Sequence, residues 1–180
     1  LTPADQVSAN LISLAPGANH RLMPGDVEAA ADLIAGAAVV LLQLEIPPES
    51  VLRTAEIARD AGVRLILDPA PVRELDRALF SSVSILTPNE GEAERLSGVA
   101  IDDESSAARA APLLRDLGVS TVVITLGGRG CYVLSDDMAE MIPAPAVDAV
   151  DSTAAGDTFN GALAAAMAGG AGLRDALTTA

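Results

Sequence analysis

The chain contains no lysine, and its 11 basic residues are all arginine. A Walker-type phosphate loop needs Gly-Lys-Ser/Thr, and a Schiff-base enzyme needs a lysine amine, so both classes are excluded. With one histidine, His20, a histidine-containing metal cluster or a Ser-His-Asp triad would depend on that single ring. With one cysteine, Cys131, no internal disulfide can form. We expect His20 in a loop and Cys131 in the core of a protein from a reducing compartment.

Aromatic residues are equally scarce, with two Phe, one Tyr and no Trp, and the net charge is −14. Binding to nucleic acid or to an anionic membrane needs clustered cations, and base stacking needs aromatic platforms, so neither partner is expected. The apolar runs are well short of the ~20 residues that span a bilayer. Because no signal peptide is recognisable, we expect a cytoplasmic protein.

Strand and helix signals alternate along the chain without a linker or an internal repeat. The run at residues 39–44, which is apolar except for Gln43, is typical of a parallel strand that is buried on both faces. Further strands are predicted at residues 10–15, 64–67, 84–86 and 121–125, and a hairpin at 131–142. Helices are predicted between the strands, among them one at 25–35 and a short one at 75–80. This pattern predicts one α/β domain over residues 1–180, a three-layer αβα sandwich around a mostly parallel sheet.

Small residues precede a carboxylate in the segment DSTAAGDTFNG, which runs from Asp151 to Gly161 into an alanine-rich helical stretch. Ala154, Ala155 and Gly156 carry almost no side chain, so an anion could reach their backbone N–H groups at a helix N-terminus. Asp157 would stand beside that anion, where it could take a proton from an attacking hydroxyl. The alternative is an N-capping aspartate among residues chosen for packing.

Other polar residues follow predicted strands. Glu45 follows the first buried strand, Asn89 follows the strand at 84–86, and a Gly-Gly-Arg-Gly turn follows the strand at 121–125. Ligands of parallel α/β sheets bind beyond the carboxyl ends of the strands, so these residues mark a candidate site. Glu45 could also be a solvated strand end, the acids at 89–92 an ordinary first helical turn, and the glycine turn an ordinary β connection.

The segment DSTAAGDTFNG resembles the C-terminal signature of the ribokinase (PfkB) family of sugar kinases. Three further stretches resemble the same family in the expected order: LLQLEIP at 41–47, LTPNEGEAERLSG at 86–98 and VVITLGGRG at 122–130. The resemblance implies a ribokinase-like fold and ATP-dependent phosphorylation of the primary hydroxyl of a small sugar, D-ribose at O5. It makes Asp157 the general base, and the backbone amides from Ala154 to Asp157 would stabilise charge on the transferring phosphoryl group.

The resemblance also assigns roles around that centre. It places Asn89 and Glu92 near the nucleotide phosphates and the water shell of Mg²⁺. Thr125, Gly127 and Gly130 would belong to the ATP site; Arg129 could meet phosphate there or face solvent. Glu45 would contact the sugar. The residues that match a monovalent-cation site, which usually holds K⁺, are Asp151 and Thr153.

The family's chains run longer at both ends, so we expect this chain to be a fragment or part of a longer chain. The family's small β lid and glycine-rich sugar motif would lie outside it, and we expect weak or no turnover from the 180 residues alone. The longer parent is expected to be a homodimer. Two alternatives stay open: another carbohydrate or nucleoside kinase of the superfamily, and an inactive nucleotide-binding fragment.

Overall fold

The structure is a computed structural model that describes residues 17–73, 75–147 and 151–180. The helices are α1 Pro24–Ala29, α2 Ala31–Ala35, α3 Pro48–Asp60, α4 Arg77–Phe80, α5 Glu90–Ser97, α6 Glu104–Arg115, α7 Ala155–Ala168 and α8 Leu173–Thr179. The strands are β1 Val39–Leu42, β2 Arg64–Leu67, β3 Ile85–Leu86, β4 Thr121–Thr125, β5 Cys131–Leu134 and β6 Ala139–Ile142. Short 3₁₀ turns lie at Gly17–Arg21, which carries His20, and at Gly127–Arg129.

The six strands form one sheet in the order β1-β2-β3-β4-β5-β6. Strands β1 to β4 are parallel, with Val39 opposite Arg64 in the first pair. The hairpin of β5 and β6 then extends the sheet in antiparallel fashion. A mostly parallel sheet and a terminal hairpin were both predicted, and both predictions are confirmed.

Apolar side chains cover both faces of the sheet, because successive residues of a strand point to opposite sides. On one face, Leu65 and Leu67 belong to a core that includes side chains of α3 and α6. On the other face, Ile66 belongs to a second core, which α7 supplies with Leu163. Helices therefore pack on both sides of the sheet, and the three-layer prediction is confirmed.

Cys131 is only 2% exposed, as expected of a small core residue. Burial raises the pKa of its thiol to about 11, which keeps the sulfur protonated and unreactive at neutral pH. Among the described residues, no helix is long and apolar enough to cross a membrane.

Three local predictions differ from the structure. The helix predicted over 25–35 is two short helices, because Ala30 leaves helical geometry at φ −103° and ψ 10°. Strand β1 ends at Leu42, before the predicted limit of 44, because the Leu44 amide donates to the Ala70 carbonyl, at 2.8 Å, and no longer joins a strand ladder. Helix α4 begins at Arg77, where Asp76 caps it by accepting from the Ala78 amide at 2.9 Å. The strand predicted at 10–15 lies outside the described residues.

Candidate active site

A cleft of about 180 Å³ opens beyond the carboxyl ends of the parallel strands. Strands β2, β3 and β4 reach it with their last residues or the loops that follow, and α7 closes it from one side. The lining residues are Asp68, Ala70, Thr87, Asn89, Glu92, Thr125, Gly156, Asp157 and Asn160. Because ligand sites for whole drug-sized molecules enclose ~300–1,000 Å³, this space fits one small group, such as a sugar or a phosphate.

Helix α7 begins at the cleft with an unusual backbone conformation. Ala154, the residue before its first turn, has φ 59° and ψ 21°, a left-handed conformation that costs a non-glycine residue about 1–2 kcal/mol. The Ala155 amide donates to the Ser152 carbonyl at 3.2 Å. Within the described part of the chain, the amides of Gly156 and Asp157 have no hydrogen-bond partner. Two N–H groups at the positive end of a helix, those of Gly156 and Asp157, are therefore available to an anion. Of the other predicted residues, Ala155 has its amide engaged, and neither Ala154 nor Ala155 lines the cleft.

Asp157 is exposed to solvent and lines the cleft next to those free amides. The small residues before it leave room around its carboxylate, because a Cβ added at Gly156 would meet no atom within 4 Å. The first turn of α7 thus places a proton acceptor, the Asp157 carboxylate, beside two hydrogen-bond donors for an anion, the amides of Gly156 and Asp157. This is the pairing that a phosphoryl transfer to an alcohol needs.

Asn89 and Glu92 also line the cleft, and they cap helix α5 reciprocally. The Asn89 amide donates to Glu92 Oε2 at 2.8 Å, and the Glu92 amide donates to Asn89 Oδ1 at 2.9 Å. A parallel bridge joins Asn89 to Thr125, so the ends of two strands meet here. Burial raises the pKa of Glu92 above its ordinary value, although its bonds to Asn89 oppose this. Asn89 and Glu92 therefore belong to the start of a helix, as the alternative interpretation expected, and they also line the cleft.

Asp68 lies at the end of β2, and its carboxylate is half-buried in the cleft. Its Oδ1 accepts from the Ala70 amide at 3.2 Å, and its Oδ2 accepts from Asn160 Nδ2 at 2.9 Å. Burial, followed by the negative charges of Glu92 and Asp157, raises the pKa of Asp68 to about 6; the two hydrogen bonds oppose the rise. Three carboxylates thus share one small cleft.

None of the described residues that line the cleft is basic. A bound phosphate would therefore meet Asp68, Glu92 and Asp157 unless a cation accompanied it. Their oxygens are the hard donors that Mg²⁺ prefers, so the donor set fits a magnesium–nucleotide complex. Over the described ranges, no cluster of three or more acidic, His or Cys side chains could hold a metal by itself. The carboxylates of the cleft could therefore assist in binding Mg²⁺, which proteins hold largely through water and substrate phosphates.

Several of the predicted site residues lie outside the cleft lining. Glu45 follows β1 and is half-buried. Gly127 and Gly130 lie in and after the turn that follows β4; a Cβ at Gly130 would come within 2.0 Å of the Ile142 carbonyl oxygen, so this glycine is required by the fold itself. Arg129 donates to the Glu90 carboxylate and to the Asp102 carbonyl, so its guanidinium is engaged on the protein surface.

The pair expected to hold a monovalent cation lies in the loop before α7. The Asp151 carboxylate accepts from the Thr153 amide at 2.8 Å, and this bond lowers the pKa of Asp151. Both residues are exposed. The described part of this loop thus offers one carboxylate, already engaged in a turn, and this is too small a donor set to hold a cation by itself.

Four lining residues were not among the predicted site residues: Asp68, Ala70, Thr87 and Asn160. Asp68 directly follows a buried strand, as Glu45 does, so the same rule could have selected it. Asn160 follows Asp157 by one helical turn and therefore lies on the same face of α7. Thr87 donates its hydroxyl to the Leu67 carbonyl at 3.3 Å and had no distinguishing signal in the sequence.

Comparison with known proteins identifies the family to which this chain belongs. The family model described as "pfkB family carbohydrate kinase" matches residues 5–180. A ribokinase of Haemophilus influenzae is 44% identical over 160 residues, which are 89% of this chain and 52% of the relative. A deoxyribokinase of Salmonella typhi is 35% identical over 158 residues, 87% of this chain and 52% of that protein.

A solved ribokinase structure is also similar to this chain. Arabidopsis thaliana ribokinase complexed with ribose and ATP superimposes with a TM-score of 0.83 at 32% identity, covering 93% of this chain and 55% of that one. The chain thus spans about half the length of the curated relatives it matches, 52% in the case of the Haemophilus enzyme.

Proposed function

The chain belongs to the pfkB family of carbohydrate kinases, and on that premise we propose that the protein transfers the γ-phosphoryl group of ATP to the primary hydroxyl of D-ribose, at O5. One observation carries the proposal. Gly156 and the exposed Asp157 line the same small cleft, and their amides have no partner among the residues that the structure describes. An alcohol and a phosphoryl group can therefore meet between a proton acceptor and anion donors.

In the proposed reaction, the sugar hydroxyl attacks the γ-phosphorus and gives its proton to Asp157. A bond forms between the sugar oxygen and phosphorus, the bond from phosphorus to the β-phosphate oxygen breaks, and ADP leaves. The amides of Gly156 and Asp157 donate to the oxygens of the transferring group, where negative charge is spread in the transition state. This arrangement is fixed in the main chain, so it needs no reorganisation during the reaction.

Mg²⁺, when bound, neutralises charge on the phosphates. Asn89 and Glu92 would hold it through water and the nucleotide, because both residues line the cleft at the start of α5. Thr125, and next to it Gly127, Arg129 and Gly130, remain our proposed residues for the nucleotide. Glu45 remains the proposed sugar contact, and Asp151 with Thr153 remain the proposed K⁺ ligands. We base no step on K⁺, because the described residues supply too few donors for it.

Ribose is the first candidate acceptor because the ribokinase of Haemophilus influenzae shares 44% of the aligned residues. Deoxyribose is the second, since a deoxyribokinase is 35% identical over a similar span. The two sugars share the primary hydroxyl that Asp157 would deprotonate. A homodimer and a cytoplasmic location stay predictions.

The test is a panel of acceptors with the protein at its natural length. ADP formation is measured with ATP and Mg²⁺ plus ribose, deoxyribose, fructose, ketodeoxygluconate or adenosine. We expect the highest kcat/KM for ribose. Phosphorylation of another acceptor while ribose fails would overturn the ribose assignment, and a failure of all five would overturn the kinase assignment of this site.

A further inference from the structure

The buried face of α7 contains a polar residue where an apolar one is expected. The buried residues of this helix are Asn160, Leu163 and Met167, which follow helical spacing along one stripe. Leu163 and Met167 belong to the apolar core against the sheet. Asn160 continues that stripe to the cleft, and it is only 3% exposed. Burial of an amide is unfavourable unless its polar atoms are paired.

Only half of the Asn160 amide is paired. Its Nδ2 donates to Asp68 Oδ2 at 2.9 Å, whereas its Oδ1 is buried and has no partner among the described residues. An amide retained in the core with an unsatisfied oxygen destabilises the fold compared with an apolar residue of similar shape. Its presence therefore calls for a reason other than stability, and the bond to Asp68 supplies one.

That bond connects parts of the chain that are 92 residues apart. Asp68 is fixed by its bond to the Ala70 amide, and Ala70 in turn accepts from the Leu44 amide at 2.8 Å. Among the described residues, the first turn of α7 has no comparable anchor to another element, because Ala154 offers no side-chain cap and the residues from 151 to 158 are all exposed. Asn160 is the first buried residue of the helix.

We propose that Asn160 is a positioning residue: its hydrogen bond to Asp68 holds the first turn of α7 at the end of β2 and thereby sets the place of Asp157 in the cleft. Asp157 lies one helical turn before Asn160 and lines the same space. A helix that rocked at this end would move the carboxylate of Asp157 and the amide of Gly156 together. The inference rests on the proposed function for its kinetic test but not for its structural one.

The test is a double-mutant cycle in the protein at its natural length. The cycle is measured at pH 8 or above, where the Asp68 carboxyl, with its pKa of about 6, is ionised; Asn160→Asp then places two carboxylates against each other and breaks the bond. The double variant Asp68→Asn/Asn160→Asp restores one amide and one carboxylate with their places exchanged. Asp68→Asn completes the cycle; it keeps an oxygen that can accept from Asn160 Nδ2, so we expect it to be less harmful than Asn160→Asp.

We expect Asn160→Asp to lower kcat by roughly 10- to 100-fold, because a displacement of about 1 Å can cost that much, while KM for ATP and sugar changes by less than about threefold. The exchanged double variant should recover kcat to within about fivefold of wild type. Met167→Ala, lower on the same stripe, is the control: it should lower the unfolding midpoint and leave kcat as it is.

Hydrogen exchange supplies a measurement that does not depend on turnover. Asn160→Asp should speed exchange at the amides of Thr158 and Phe159 about tenfold, and the double variant should restore slow exchange. If the double variant is as impaired as Asn160→Asp in exchange, the positioning role is overturned. A wild-type protein that phosphorylates no acceptor would overturn the proposed function, whereas the exchange data would still decide the role of Asn160.

Discussion

Gly156 offers a substitution whose effects on stability and activity should have opposite signs. It is the second residue of α7, and a Cβ at this position would meet no protein atom within 4 Å. Within a helix, replacing glycine by alanine at an unstrained site stabilises by about 0.4–1 kcal/mol, mainly by restricting the unfolded chain. Gly156→Ala should therefore raise the unfolding midpoint by about 1–4 °C in a chain of this size.

The same methyl group should damage catalysis. Gly156 lines the cleft, so the added carbon would occupy space that a phosphoryl group needs in order to reach the free amides. Loss of one such donor typically costs 10²–10³-fold, and we expect kcat of Gly156→Ala to fall by about 10²-fold. The protein alone does not demand glycine here, so any demand must come from the ligand.

The assay combines thermal unfolding with steady-state ADP formation in the protein at its natural length. Gly161→Ala is the matched control: Gly161 lies in the same helix, is exposed and also has open space around it, but does not line the cleft. It should stabilise by a similar amount and leave kcat unchanged. A Gly156→Ala enzyme with the activity of the Gly161→Ala control would refute the reasoning that phosphate approaches this backbone.

Two further predictions concern stability. The pKa of Asp68 is raised from 3.8 to about 6 in the folded protein, so folding favours its protonated form; the free energy of unfolding should fall as pH rises from about 4 to about 6. Asp68→Asn should remove this pH dependence and be more stable than wild type above pH 6. If the unfolding midpoints of the variant and of wild type change with pH in the same way, this prediction is wrong. Gly130→Ala should destabilise by at least about 2 kcal/mol in chemical denaturation, because its Cβ would overlap the Ile142 carbonyl oxygen and its φ is 103°. Gly127→Ala, with φ 56° and open space, should lose only about 1 kcal/mol, and equal losses would show that the overlap is relieved.

The sheet could be predicted from the sequence because its signals are local. The mainly apolar run at 39–44 and the β-branched run at Thr121–Thr125 each indicate a strand without knowledge of its neighbours. Strand β4 is buried as predicted, whereas β1, at one end of the described sheet, is only half-buried and Leu41 is 40% exposed. Once parallel strands are expected, the rule that ligands bind at their carboxyl ends directs attention to Glu45, Asn89 and the turn at 127–130. Of these, Asn89 lines the cleft; Thr125, which also lines it, was indicated by the family resemblance.

The rest depended on contacts between distant parts of the chain. The bond from Asn160 to Asp68 joins two segments that no sequence pattern connects, so an asparagine in an alanine-rich helix carried no signal of its own. The left-handed backbone of Ala154 could not be predicted either, because alanine ordinarily avoids that conformation. Arg129 follows a glycine turn that suggests a phosphate contact, but its guanidinium donates to Glu90, which only the packing of α5 brings near.

In the proposed reaction, Asp157 takes the proton of the attacking hydroxyl. The most direct test is Asp157→Asn in the protein at its natural length, with kcat measured by ADP formation and ATP affinity measured separately. The amide keeps the shape of the side chain but cannot accept the proton, so kcat should fall by roughly 10²–10⁴-fold while ATP binds as before. Turnover equal to that of wild type would contradict the account, because the hydroxyl would then lose its proton without this carboxylate.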